Sequence, residues 1–326
     1  MGSSHSQNAG TQDEKTDWEF HAEDGVYHSD FFEWKEGAKL FFRHIQRTDP
    51  QCVVFLFHGL AVSGYHQREL VTHLVDQLPV EVFAMDQVNH GRSVVGRPMD
   101  IRQGDVLWKS QTDFLRHMLE VHQDRLKGVP VFALGDSMGG ATAFFVGLAA
   151  KDVLTGGVVF TSPALMIPNP PNKCTRGLIR SLKAMMPNAK AASQRTDAIT
   201  RDAAKLEILL NQPYKINGPI TFRTGVALFD MSLEIQQRME EFSVPFLICH
   251  GTMDGYTDIE GSRALFAKAN VPEEHRCLKE YEGAFHDLLH ELDPTVDAFL
   301  GDIVNWITVR LDQMRAERQS QEVEAV

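Results

Sequence analysis

One stretch constrains this chain more than any other: Val131-Phe132-Ala133-Leu134-Gly135-Asp136-Ser137-Met138-Gly139-Gly140. A short apolar run enters Gly135-x-Ser137-x-Gly139, and small and apolar residues continue to Ala150. The pattern predicts a buried strand, a tight turn and a buried helix, with a serine at the turn. A serine hydroxyl is a weak nucleophile, so it must project where a base can reach it. Side chains at the flanking glycines would block such a turn. The helix that follows aims backbone N–H groups and its positive dipole end at any negative charge that develops. The alternative is a glycine-rich turn with an incidental serine, and the strand and helix context weighs against it.

The partners of such a serine follow it in the order acid, then histidine. Val244-Pro245-Phe246-Leu247-Ile248-Cys249 predicts a later strand, and His250 to Gly255 the loop after it. Asp254 is the candidate acid. Asp258 is the runner-up in the same loop, and one of the two is expected to cap the helix from Ile259 to Ala269. Arg276 to Glu282 predicts the last strand, ending at Gly283-Ala284-Phe285-His286. His286 is the candidate base. His290 is the alternative, and its blander reading is a surface histidine on a helix.

An oxyanion needs two backbone donors. One is the N–H of Met138, directly after the nucleophile. The other is assigned to Leu60, because Cys52 to Phe57 predicts a strand and His58-Gly59-Leu60-Ala61 the turn behind it. The loop Asp86-Gln87-Val88-Asn89-His90-Gly91-Arg92-Ser93 follows the strand Val80 to Met85 and reads as structural: polar groups tie down a tight glycine turn.

Strands and helices alternate through residue 161: strands Lys39 to Ile45, Cys52 to Phe57, Val80 to Met85, Val131 to Leu134 and Gly157 to Thr161, with helices Tyr65 to Gln77, Gly104 to Leu126 and Met138 to Ala150. This predicts an α/β fold with a mostly parallel central sheet flanked by helices. Residues 1–24 are expected as a disordered tail, 25–162 and 242–312 as the core, 163–241 as a helical cap over the site, and 313–326 as a C-terminal tail. The cap segment is too long for a crossover loop and carries its own helical patterns.

Composition narrows the partners. A net charge of -12 argues against nucleic acid and gives no general attraction to anionic lipid. The cysteines are Cys52, Cys174, Cys249 and Cys277; three fall in predicted strands and none has metal spacing, so they read as reduced residues of a reducing, cytoplasmic compartment. No apolar run reaches membrane-spanning length, and the N-terminus lacks a signal-peptide core. Gly2 fits a loose N-myristoylation pattern, which an expression scar would also explain.

The motifs together resemble the monoacylglycerol lipase family, serine hydrolases of the α/β-hydrolase superfamily. The matching pieces are His58-Gly59, Asp86-x-x-x-His90-Gly91-x-Ser93, Gly135-x-Ser137-Met138-Gly139-Gly140, Thr161 to Leu165, Val244 to Leu247, Gly251 to Asp254 and Tyr281 to His286. The resemblance implies the α/β-hydrolase fold and cleavage of a glycerol monoester by Ser137, His286 and Asp254, with no metal or organic cofactor. Two departures stand out. The family usually has histidine before the nucleophile, and here it is Asp136. The family's glycine–glutamate pair and following basic residue are replaced by Ala61 to Tyr65. The head-group pocket is therefore rebuilt, with His58, Asp136, Val62 and Tyr65 as its candidates, and lysophospholipid is the nearest alternative substrate. In the cap, Leu178, Ile179, Leu182, Met185 and Met186 recur at helical spacing between Lys173, Arg176, Arg180 and Lys183. Leu178, Ile179 and Leu182 are candidates for the acyl wall. The helix 173–186 is expected either to touch a membrane surface transiently, making the enzyme peripheral, or to pack its stripe onto the body.

Overall fold

Short apolar runs become the middle of a sheet when both faces are covered. The strands β3 (Cys52–Phe57), β4 (Val80–Met85) and β9 (Phe246–Gly251) are buried at every position. The structure is a computed structural model that describes residues 25–324 except positions 169 and 171. Gly2 and the rest of 1–24 lie outside the described residues. The remaining strands are β1 (Gly25–Glu33), β2 (Lys39–Arg47), β5 (Val131–Asp136), β6 (Gly157–Thr161), β7 (Lys190–Ala192), β8 (Ile220–Thr221) and β10 (Arg276–Tyr281). The helices are α1 (Arg68–Gln77), α2 (Asp105–Val121), α3 (Gln123–Leu126), α4 (Met138–Ala149), α5 (Lys173–Met185), α6 (Ala203–Asn211), α7 (Phe222–Arg238), α8 (Ile259–Lys268) and α9 (Asp293–Glu324).

The main sheet has eight strands in the order β1-β2-β4-β3-β5-β6-β9-β10. β1 and β2 are antiparallel to their neighbours, and every pair from β4 to β10 is parallel. Alternation of side chains divides the core into two layers. Val53, Phe55 and Phe57 face the layer built with Phe114 of α2, Phe144 of α4 and Leu265 of α8. Cys52, Val54 and Leu56 face the other, with Leu70 and Leu74 of α1 and Phe299 and Ile303 of α9. Helices therefore cover both faces, and the loops after the parallel strands gather at one edge, where ligands of such sheets bind.

The Asp86–Ser93 loop ties that edge down. Buried Asp86 accepts hydrogen bonds from Arg43 Nη1 at 2.8 Å, Gly64 N at 2.8 Å and Arg92 N at 2.9 Å. Gly91 has φ +51°, and a Cβ there would stand 2.1 Å from Asp86 Oδ2, so only glycine fits.

The segment between β6 and β9 differs from an all-helical cap. It carries α5, α6 and α7 and also a small antiparallel pair, β7 with β8. The far half of α7 belongs to the body, since Met231 and Ile235 sit in the same core layer as α4. The stretch after residue 312, expected as a tail, continues α9 to Glu324; Arg315 donates to Gln51 Oε1 and Arg318 to the Gly128 carbonyl.

Candidate active site

Ser137 lies between β5 and α4 with φ 53° and ψ -114°, a conformation that side-chain-bearing residues rarely adopt. Its neighbours explain how it is held. A Cβ on Gly139 would lie 1.8 Å from the Phe57 carbonyl oxygen, and one on Gly135 would lie 2.3 Å from the Gly139 carbonyl oxygen. The turn is thus pressed against the end of β3, which only glycine permits.

His286 follows β10 and meets the serine. Its Nε2 is 2.9 Å from Ser137 Oγ, and its Nδ1 is 2.7 Å from Asp254 Oδ2. Asp254 is fixed from four sides: Tyr256 N and Thr257 N donate to Oδ1 at 2.7 and 3.0 Å, Thr257 Oγ1 donates to Oδ2 at 2.7 Å, and His250 Nε2 stands 3.2 Å from Oδ2. Asp258, the other candidate acid, caps α8 through Glu260 N. The ring of Tyr256 stacks on His286 at 4.9 Å, and its hydroxyl donates to the Arg195 carbonyl at 2.7 Å. Tyr256 and His250 were not singled out from sequence, although both flank Asp254.

Burial opposes charge on both partners, yet each holds the other ionised. Asp254 is pushed up by burial, but the charge of His286 and hydrogen bonds from His250 and His286 hold it well below the usual carboxylate range. Burial pulls His286 down, while Asp254, and then Asp136 and Asp287, raise it to about 9. Asp136, the residue before Ser137, therefore bears on the His286 imidazole electrostatically.

Leu60 and Met138 both line the cavity beside Ser137. Met138 opens α4, where backbone N–H groups have no partner within the helix. Gly59 brings the first loop close: a Cβ there would be 3.3 Å from Ser137 Cβ and 3.0 Å from Asp136 Oδ2.

The cavity measures about 450 Å³, the size of a small-molecule site. One wall is apolar and comes from the cap, with Ile179 of α5, Leu209 of α6, and Val226 and Phe229 of α7. The other end gathers His66, Asp136, Gln212, Lys215 and Asp287. There His66 Nε2 is 3.1 Å from Asp287 Oδ2 and Gln212 Nε2 is 2.8 Å from His66 Nδ1. Asp136 accepts from Thr161 Oγ1 at 3.1 Å, and burial raises its carboxyl above the ordinary value. Of the pocket candidates, Asp136, Val62 and Ile179 line the cavity. The others are corrected. His58 is fully buried and structural: its Nε2 accepts from Gln87 N at 2.8 Å, its Nδ1 bonds the Gly59 carbonyl, and burial pulls it down to about 3, which keeps it neutral. Tyr65 packs on Tyr214 and Arg68. Leu178 is 61% exposed and Leu182 is half-buried, both outside the cavity lining. His290 is not a surface histidine either; it is 3% exposed and its Nδ1 is 3.0 Å from Asp287 Oδ1.

A serine at a strand–helix turn, on this sheet, defines an α/β-hydrolase. The chain belongs to the Hydrolase_4 family, serine aminopeptidase S33, whose model matches residues 48–293. It is 27% identical to monoglyceride lipase of Mus musculus over 281 residues, 85% of this chain and 89% of the mouse protein. It is 28% identical to caffeoylshikimate esterase of Arabidopsis thaliana, over 89% of this chain and 88% of the plant protein. The fold matches a soluble variant of monoglyceride lipase from Saccharomyces cerevisiae, crystallised with a substrate analog, at a TM-score of 0.75 and 21% identity, covering 90% of this chain and 98% of the yeast one. The chain is a carboxylic ester hydrolase.

The raised His286 sets a pH dependence. A base must be neutral to take a proton, so kcat/KM is expected to rise as pH increases through about 9. Asp136→Asn removes a charge that favours the imidazolium, and the rise should move to lower pH. A profile measured on a soluble ester checks this; an unmoved midpoint in the variant would separate Asp136 from the base.

Proposed function

We propose that the protein hydrolyses monoacylglycerol to fatty acid and glycerol through an acyl-enzyme. The carrying observation is the juxtaposition at Ser137: a histidine-bonded serine between an apolar wall of the cap and a polar end of the same cavity. In this reading the acyl chain lies along Ile179, Leu209, Val226 and Phe229. The glycerol hydroxyls face His66, Asp136 and Asp287. Ser137 Oγ attacks the ester carbonyl while His286 Nε2 takes its proton. The N–H groups of Leu60 and Met138 hold the oxyanion, and Asp254 stabilises the imidazolium. His286 then gives the proton to the departing glycerol oxygen, and water releases the fatty acid by the same steps.

A lysophospholipid is the second reading, favoured by Lys215, whose Nζ is held by Gln194 Oε1 at 2.9 Å on the cavity wall. Two carboxylates at that end, Asp136 and Asp287, oppose a phosphate. Fatty-acid release from a long-chain monoacylglycerol and from the matching lysophosphatidylcholine distinguishes them. Preference for the monoacylglycerol is expected, with Ser137→Ala slower by a factor on the order of 10⁴ or more and still folded. Preference for the lysolipid would reassign the polar end to phosphate.

The cap helix α5 also suits a lipid surface. Leu178, Met185 and Met186 are 61, 69 and 50% exposed, beside Arg180 and Lys183. We propose that this edge rests transiently on membranes, delivering substrate to a cavity that Ile179 lines from the same helix. Leu178→Ser with Met185→Ser should weaken vesicle sedimentation while sparing turnover of a water-soluble ester. Unchanged sedimentation would remove the membrane role from α5.

A further inference from the structure

We propose that His66, Asp287 and His290 form a binding site for a first-row transition ion, Zn²⁺ above all, and that the bound ion inhibits ester hydrolysis. The three residues come from the turn after β3 and the loop after β10, and all are buried. Among the described residues theirs is the one group of this kind whose ligand atoms all lie within 4.8 Å of one another.

The geometry is close to that of a zinc site. His66 Nε2 is 3.1 Å from Asp287 Oδ2, and His290 Nδ1 is 3.0 Å from each Asp287 oxygen. A tetrahedral zinc with bonds of about 2.0–2.1 Å spaces its ligand atoms about 3.3–3.4 Å apart. Both contacts need to open by only a few tenths of an ångström when the ion replaces the bridging protons. The third edge closes by rotation of two imidazoles whose centroids are already 4.9 Å apart.

The surrounding hydrogen bonds point the same way. Gln212 Nε2 meets His66 Nδ1 at 2.8 Å, while Gln212 Oε1 is buried and accepts nothing. An ion on His66 Nε2 puts the ring proton on Nδ1. Turning the amide over then offers Oε1 to that proton and satisfies the orphan oxygen. His290 Nε2 is likewise buried without a hydrogen bond, and Glu69 Oε2 stands 3.8 Å away. An ion on His290 Nδ1 fixes the proton on Nε2, facing that carboxylate. Metal-bound imidazoles use such outer acceptors. His66 and Asp287 also line the cavity, which leaves a fourth position for water.

Inhibition follows from place: His66 and Asp287 line the cavity, so the ion and its bound water fill the polar end where the glycerol hydroxyls are proposed to sit. This second half rests on the hydrolase reading; the binding half does not. Chelator-treated full-length protein is titrated with Co²⁺, read by its visible d–d bands, and with Zn²⁺ by calorimetry. A single equivalent is expected, lost in His66→Ala and His290→Ala, retained in His286→Ala, and weakened roughly 10- to 100-fold in Gln212→Ala. Zn²⁺ should inhibit the wild type, reversibly by chelator, and spare His290→Ala. If His290→Ala does not melt cooperatively, the less disruptive His290→Gln takes its place. No bands and no heat would overturn the site. So would binding that survives loss of His290 and disappears with His286, which places the ion on the serine–histidine pair. Binding with no inhibition would overturn the regulatory half.

Discussion

Everything at this site depends on one strained backbone position. Ser137 holds φ 53°, at a cost of about 1–3 kcal/mol. The structure sustains it because Gly139 lies against the end of β3 and Gly135 lies against Gly139, leaving no room for either Cβ. The same packing brings the Leu60 loop to the serine. The turn at Ser137, the nearness of the Leu60 loop and the mouth of the cavity are therefore consequences of one close approach between two strand ends.

A second constraint is electrostatic. His286 sees three carboxylates, Asp254 in direct contact and Asp136 and Asp287 further off. Asp254 orients the ring and favours its charged form. The other two add charge without touching it. Asp287 is itself shared with His66 and His290, so the polar end of the cavity and the base belong to one connected set of charges. A change in what occupies that end reaches the base without moving it.

Much of this was legible in the sequence, for a physical reason. Strand ends are marked by apolar runs that stop at glycine, and the loops that gather at one edge of a parallel sheet begin just beyond them. Ser137 and Asp254 each follow such a run, whereas His286 follows the partly charged β10, Arg276–Tyr281, and was placed by the Gly283 turn behind that strand. The polar end was not legible, because His66, Lys215, Gln212 and Asp287 come from separate segments that only the fold brings together. Tyr256 and Asp287 did carry a weak signal, standing two and one residues from Asp254 and His286. Periodicity placed α5 on an amphipathic helix but did not tell which apolar residues face the cavity. Ile179 does; Leu178 faces outward. His290 shows the same limit: its spacing suggested a helix surface, whereas Asp287 holds it buried in a short turn.

The most direct test of the central claim is the rate at which a fluorophosphonate labels the protein, followed by intact mass and peptide mapping. A single adduct on Ser137 is expected, formed slowly or not at all in His286→Ala although that variant remains folded. An adduct on another residue, or labelling of Ser137 at an unchanged rate without His286, would contradict it.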